Sequence, residues 1–395
     1  MKTVGVLGGG QLGCMLADAL FKLGAKVQFY DPDPTSPAYF RTQSFVQGGW
    51  EDKKKLEEFF ATSDIVTYEF ENVSVNLLEE IVQKTGTQLF PSAQVLATTQ
   101  NRYLEKTFLK NNDFPVCQFA LAKNIHEANI ISQKFNFPYI IKTATGGYDG
   151  KGQWLIKNKE DFESFIKEIS IKFVEIIFEE KIQIELEASC IVARNSNNKA
   201  VCLPVFENVH KNHILYNTTL PAHLPISVQE KLKSIALKAA NKLNVTGLLT
   251  TEFFLSRKIN PYYKFECIEG YYIYINEFAP RPHNSGHISL NACNISQFNA
   301  LAHILLNIPL QTPKLNDGFY CMGNLLGDTW IEQGNKYQLN LNAWEKNPEV
   351  IDVVLYGKSE AKKNRKMGHF VTHSLNREQS ILDAEKFRSD LNEKL

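Results

Sequence analysis

The sequence of 395 residues has no surplus of either charge. Its 43 lysines and arginines balance 43 aspartates and glutamates, so no global basic field points to nucleic acid or to an anionic membrane surface. No apolar run is long enough to span a bilayer, and glycines interrupt the start before a charged-then-apolar leader takes shape. Cys-x-x-Cys is absent. The seven cysteines (Cys14, Cys117, Cys190, Cys202, Cys267, Cys293, Cys321) are odd in number and scattered, which excludes an ordinary disulfide framework and argues against a zinc site. Internal repeats and low-complexity tracts are missing too. These absences leave a reduced, cytoplasmic protein with no membrane or nucleic-acid partner as the expectation. A composition of 44% hydrophobic and 22% charged residues is that of a globular chain, and its length calls for two or three domains.

The most informative stretch present is Tyr139–Gln153. An apolar run ends in Lys142, a loop carrying Gly146, Gly147, Gly150 and Gly152 follows, and strand-type residues resume at Trp154. The pattern predicts strand, glycine loop, strand. It is not a Walker A loop, which would place Lys and then Ser or Thr at the start of a helix. A glycine loop between strands can still fold over phosphates, because consecutive N–H groups can point into one concavity. Lys142 and Lys151 would add positive charge for an anion. The alternative is an ordinary glycine-rich hairpin, against which stand Tyr148 and Asp149 at its tip.

At the start, the strand Thr3–Leu7 runs into Gly8-Gly9-Gly10-Gln11-Leu12-Gly13, a helix over 12–23 and a strand Val27–Tyr30 closed by Asp31. Gly8, Gly10 and Gly13 satisfy a dinucleotide fingerprint, and taken alone they read as a NAD-dependent dehydrogenase. Any βαβ unit that brings an anion to a helix N-terminus needs the same glycines, and nothing downstream supplies a hydride site. Glu69 and Glu71 follow the strand Ile65–Tyr68, either facing sugar hydroxyls at the sheet's ligand edge or standing solvated in a loop. Strand and helix alternate as far as Pro91, giving a first domain of parallel α/β type.

Beyond Thr98 the character changes. Arg102 and Lys106 share one face of a helix over 100–109, a solvated face in the ordinary case or a phosphate contact. Glu175–Ile182 reads as a strand running into a linker, and Ile182–Val192 and Val201–Phe206 as antiparallel strands. His210, His213 and His223 match no metal-ligand spacing. Ser227–Leu243 reads as a helix opened by a capping box, with Ser227 as N-cap. Two strands then carry carboxylates inside or at the end of apolar runs: Glu252 in Gly247–Leu255 and Glu277 in Tyr271–Phe278. A buried carboxylate is costly unless paired or bound to a cation, so the pair suggests a Mg²⁺ site, with Lys258 or Lys264 as simple ion-pair partners the alternative. Ala279–His287 follows, where two prolines stiffen a run presenting Arg281, His283, Asn284 and Ser285, a donor cluster suited to a small planar oxyanion. Near the end, Arg365 and Lys366 precede Met367-Gly368-His369, a phosphate grip or a solvated basic turn.

Taken together these motifs resemble the ATP-grasp superfamily and, within it, the N5-carboxyaminoimidazole ribonucleotide synthetases. The resemblance rests on residues 8–13, 68–72, 99–102, 145–153, 276–287 and 365–369, in the family's order and over nearly the whole chain. It implies an ATP-grasp fold of α/β and α+β type. The parts would be an open parallel α/β pre-ATP-grasp domain over 1–98, the ATP-grasp domain over 99–310, and a small C-terminal domain over 311–395. The implied reaction is ATP-dependent carboxylation of 5-aminoimidazole ribonucleotide by bicarbonate, through carboxyphosphate, with Mg²⁺ (two ions) and with neither NAD nor biotin, in a homodimer.

The resemblance also implies roles. Arg102 and Lys142 match ATP-phosphate ligands, with the loop residues Gly147, Tyr148, Asp149, Gly150, Lys151, Gly152 and Gln153 closing over the nucleotide. Glu179, Glu180, Lys181 and Ile182 match the adenine linker, Glu187 the ribose ligand and His210 a further nucleotide contact. Glu252 and Glu277 match the Mg²⁺ ligands, with Asn276 beside them. Arg281, His283 and Asn284 would hold bicarbonate and carboxyphosphate. Tyr148 and Asp149 would meet the imidazole, Asp149 handling the amine proton. Gln11, Leu12, Glu69, Lys358, Arg365 and Lys366 would grip the ribonucleotide, its phosphate above all. Cys14 stands where the family has Arg, and Ser256–Gly270 is longer than the usual hairpin. Formate-dependent glycinamide ribonucleotide transformylase shares the same logic, and a nucleotide-binding protein without catalysis is the reading from another class.

Overall fold

The computed structural model describes residues 1–147, 152–171, 173–259 and 263–392. Three sheets organise them. The first has five parallel strands, side by side in the order Phe45–Gln47, Lys26–Asp31, Thr3–Leu7, Ile65–Tyr68 and Gln88–Phe90. Val4, Val6, Leu7, Phe29, Tyr30 and Val66 are buried, as strands covered on both faces require. The chain begins in the middle and winds to each edge in turn. Strand order therefore reverses at the carboxyl ends of Thr3–Leu7 and Ile65–Tyr68, the crevice where such sheets take ligands. Gly8 turns there with φ +104°, and a Cβ on it would strike the Glu69 side chain.

The second sheet is antiparallel, in the order Phe119–Ala122, Ile176–Glu180, Tyr139–Thr143 and Gln153–Ile156. Lys142 pairs with Gln153 on one side and Ile177 on the other, at the mouth of the glycine loop. Phe162 and Phe165 of the helix Lys159–Ile169 pack on Tyr139 and Phe178.

The third sheet runs Tyr272–Ala279, Gly247–Ser256, Leu186–Arg194, Phe206–Lys211, Ile214–Leu220, Phe319–Leu326, Lys366–Ser374 and Val350–Leu355, with Ala200–Cys202 beside Leu186–Arg194. Residues beyond 311 thus extend the same sheet rather than forming their own, and the helix Arg377–Asn392 covers that end. The single strand expected over 201–206 is two, because Pro204 supplies no N–H and the ladder restarts at Phe206. The helix Ile226–Lys242 covers one face through Val228, Leu232, Ala236 and Ala239. Its N-cap is Pro225 and no side chain caps it; the expected capping box is absent, and the Ser227 hydroxyl bonds Glu269 instead. The helix Gln297–Leu305 covers the other face and packs on Gln11–Lys22. That contact brings the crevice of the parallel sheet to the loop at 281–287. Among the described residues no helix is long and apolar enough to cross a membrane.

Candidate active site

Glu252 and Glu277 stand opposite each other in register, on one face of two neighbouring strands, with a β-bulge after Glu252. His283 Nε2 lies 2.8 Å from Glu252 Oε1, and Asn276 Nδ2 lies 3.4 Å from its other oxygen. Burial works to raise the Glu252 carboxyl, but the His283 hydrogen bond and the imidazoles around it hold it down at about 2. Glu277 goes the other way, pushed to about 7 by burial and by the charge of Glu252. One carboxylate held ionised beside another driven towards its protonated form is an arrangement that a hard divalent cation relieves. Asn284, half-buried, adds a side chain whose amide oxygen and nitrogen are shielded and have no hydrogen-bond partner among the described residues. The donor set therefore fits Mg²⁺. The ion-pair alternative fails, since the partner of Glu252 is His283 and neither Lys258 nor Lys264.

Positive charge comes from the small sheet and the helix Arg102–Asn111. Lys142 Nζ lies 2.9 Å from Glu179 Oε2, and Lys106 Nζ lies 3.6 Å from Glu179 Oε1. Glu179 is thus a clamp for two lysines, its side chain turned inward. Burial would raise its carboxyl, yet Lys106 and Lys142 hold it below the usual range. Lys106, expected on a solvated face, is 2% exposed and reaches the Asn276 carbonyl. Arg102 donates to the carbonyls of Thr143, Gly146 and Gly147 at 2.9, 2.6 and 3.0 Å, fastening the base of the glycine loop. Gly152 and Gln153 resume beyond that loop, while Tyr148, Asp149, Gly150 and Lys151 lie outside the described residues. Glu180 is half-buried and raised by that burial, with Lys181 exposed and Ile182 half-buried next to it.

On the adjoining strands, His210 Nδ1 meets Glu187 Oε2 at 2.8 Å. Burial would depress this imidazole, but the Glu187 hydrogen bond and charge raise it above its ordinary value. Arg281 reaches across to the parallel sheet, with Nε 2.9 Å from Glu71 Oε1. Glu71 is therefore no free loop acid. Glu69, beside it, accepts the N–H groups of Gly10 and Gly13, and Asp31 accepts that of Gly9 at 2.7 Å. The amides of the glycine turn are thus occupied by carboxylates of the chain itself. Gln11 and Leu12 open the helix that follows. On the far side, Lys358 donates to the Lys366 carbonyl at 2.6 Å and Arg365 to that of Glu360 at 2.8 Å, bringing the three cations into one turn. Cys14 is buried beside Arg41, which is 3.8 Å from Asp18.

Three family models match the chain. A ribonucleotide synthetase preATP-grasp domain covers residues 1–100, an ATP-grasp domain 107–298, and a phosphoribosylaminoimidazole carboxylase C-terminal domain 321–381. The N5-carboxyaminoimidazole ribonucleotide synthase of Staphylococcus haemolyticus is 35% identical over 371 residues, covering 93% of this chain and 91% of that protein. The protein of the same name from Bacillus subtilis is 34% identical over 371 residues, 93% of this chain and 90% of its own. The crystal structure of N5-carboxyaminoimidazole synthetase from Staphylococcus aureus with ADP superposes with a TM-score of 0.87 at 33% identity, over 98% of this chain and 97% of that one.

Proposed function

The chain belongs to the N5-carboxyaminoimidazole ribonucleotide synthase family, ATP-grasp ligases of purine biosynthesis, and from that premise we propose which of its residues carry each part of the reaction. The enzyme carboxylates 5-aminoimidazole ribonucleotide at the expense of ATP. In our reading bicarbonate is the carbon source, and one of its oxygens displaces ADP from the γ-phosphoryl group. The carboxyphosphate so formed gives its carbon to the exocyclic amine and releases phosphate.

Such a transfer needs positioning and charge neutralisation more than covalent help. Lys142, held in place by Glu179, faces the phosphates, while Arg102 sets the loop that covers them. Glu187 and His210 take the ribose, and the Glu179–Ile182 crossing takes the adenine. Glu252 and Glu277 would hold Mg²⁺, which neutralises phosphate charge when bound. Arg281, His283 and Asn284 surround the bicarbonate. Lys358, Arg365, Lys366, Gln11, Leu12 and Glu69 bind the ribonucleotide, with Tyr148 and Asp149 assigned to the imidazole by family likeness alone. The division of labour follows the ranges 1–98, 99–310 and 311–395. We further propose a cytoplasmic homodimer.

The observation that carries this reading is the pair Glu252–Glu277 directly beside His283 and the unpartnered Asn284 amide. Turnover with ¹⁸O-labelled bicarbonate tests it. One labelled oxygen should appear in the released phosphate. Unlabelled phosphate, formed at the full rate, would rule out carboxyphosphate.

A further inference from the structure

His283 sits at the end of a chain of buried polar side chains that none of the roles above uses. Its Nδ1 lies 2.8 Å from Ser285 Oγ, which lies 2.8 Å from Ser189 Oγ. Asn208 Nδ2 donates to Ser189 Oγ at 2.9 Å, and Thr218 Oγ1 to Asn208 Oδ1 at 3.0 Å. The members come from three different strands and the 281–287 loop, and Ser189, Ser285 and Thr218 are fully buried.

The direction of this chain follows from counting hydrogens. Asn208 can donate to Ser189 only with its nitrogen, so the Ser189 hydroxyl hydrogen goes to Ser285 and the Ser285 hydrogen to His283 Nδ1. Reversing any link strands a buried hydroxyl hydrogen with no acceptor, at a cost buried polar groups rarely bear. The backbone supplies an independent witness. The Ser285 N–H also points at His283 Nδ1, at 3.4 Å, capping the short helix Asn284–Ile288, and a peptide N–H can only donate. His283 Nδ1 is therefore an acceptor twice over, which leaves the ring proton on Nε2, the nitrogen facing Glu252.

We propose that Ser285, Ser189 and Asn208 are positioning residues that lock His283 as an Nε2–H donor to Glu252, fixing ring and carboxylate together beside the bicarbonate site. This rests on the function proposed above. It makes His283 the donor that orients Glu252 and, with both ring nitrogens engaged, removes it from the candidates for the base that deprotonates the amine. It also gives a use to the buried Ser189 hydroxyl, which shares its face of the strand Leu186–Arg194 with the apolar Ile191 and Ala193.

Two measurements test it. In protein labelled with ¹⁵N-histidine, the His283 signals, identified by their loss in His283→Asn, should show the proton on Nε2. Ser285→Ala should bring in the other tautomer. In steady state, Ser285→Ala should raise the KM for bicarbonate on the order of tenfold and Ser189→Ala about threefold, with the KM for ATP and for the ribonucleotide within about twofold of wild type. An unchanged tautomer in Ser285→Ala would overturn the proposal, since Glu252 alone would then set the ring. Equal losses for all three substrates with a lowered Tm would also overturn it, reducing the chain to packing. The tautomer spectrum needs no turnover, so it judges the positioning role even if the wild type proves not to consume bicarbonate, a result that would instead overturn the proposed function.

Discussion

Replacing Lys106 with methionine removes one charge from an ionic knot beneath the nucleotide site and leaves the others buried. Lys106 is 2% exposed, 3.6 Å from Glu179, and bonded to the carbonyl of Asn276. Glu105 and Glu277 lie close enough to raise its pKa further. At 3.6 Å and an effective dielectric constant of about 20, the attraction to Glu179 is on the order of 4–5 kcal/mol. Removing one partner of a buried pair typically costs about 3–5 kcal/mol; here Glu179 keeps Lys142 at 2.9 Å, while the Asn276 carbonyl loses its donor. Lys106→Met should therefore destabilise the protein by about 3 kcal/mol, the low end of that range and about a fifth or more of an ordinary folding free energy. Methionine fills much of the same volume, so little of this is a cavity effect. Urea unfolding followed by fluorescence gives the number. Lys106→Met combined with Glu179→Gln should cost less than the sum of the two single variants, since the two charges act on each other. A single-variant cost under about 1 kcal/mol, or strict additivity in the double variant, would refute the ionic knot.

Glu277→Gln should abolish turnover at any Mg²⁺ concentration; unchanged activity at limiting Mg²⁺ would remove Glu277 from the metal site. Arg365→Ala should raise the KM for aminoimidazole ribonucleotide by tenfold or more, on the order of one charge-assisted hydrogen bond, and leave that for ATP alone. The reverse pattern would place Arg365 at the nucleotide. A pH prediction comes from His287 and His369, buried with ring centroids 4.9 Å apart. Burial depresses both, His369 to about 3 and His287 well below its usual value, with His369 adding to the effect. The unfolded chain binds protons at both near pH ~6.5, so stability is fully present above that pH and falls as pH drops, by up to about 2.7 kcal/mol per unit. Unfolding free energies at pH 7.5, 6.5 and 5.5 measure the slope, which His369→Gln should roughly halve; an unaltered slope would contradict the assignment.

The sequence revealed the parallel first domain and the strand–loop–strand at 139–156 because apolar runs with their turn residues are local signals. It also drew attention to Glu252 and Glu277, since a carboxylate inside an apolar strand is conspicuous on its own. What it concealed depends on partners far along the chain. Lys106 looks like any surface lysine of a charged helix until Glu179, more than seventy residues later, folds against it. Glu71 and Arg281 are each legible as polar loop residues, but only the packing of helix Gln11–Lys22 on Gln297–Leu305 makes them an ion pair. The capping box at Ser227 satisfied the local rule and lost to tertiary context, because Glu269 captured its hydroxyl. Ser189 and Asn208 carry no pattern at all; Ser285 alone had a hint, lying inside the donor-rich run after Pro282.

The most direct test is phosphate release from Mg·ATP, measured with and without aminoimidazole ribonucleotide and bicarbonate. Release that rises sharply only with both present, alongside a carboxylated ribonucleotide, is the predicted result. Indifference to the ribonucleotide, with turnover on formate and glycinamide ribonucleotide instead, would contradict the account while leaving the fold intact.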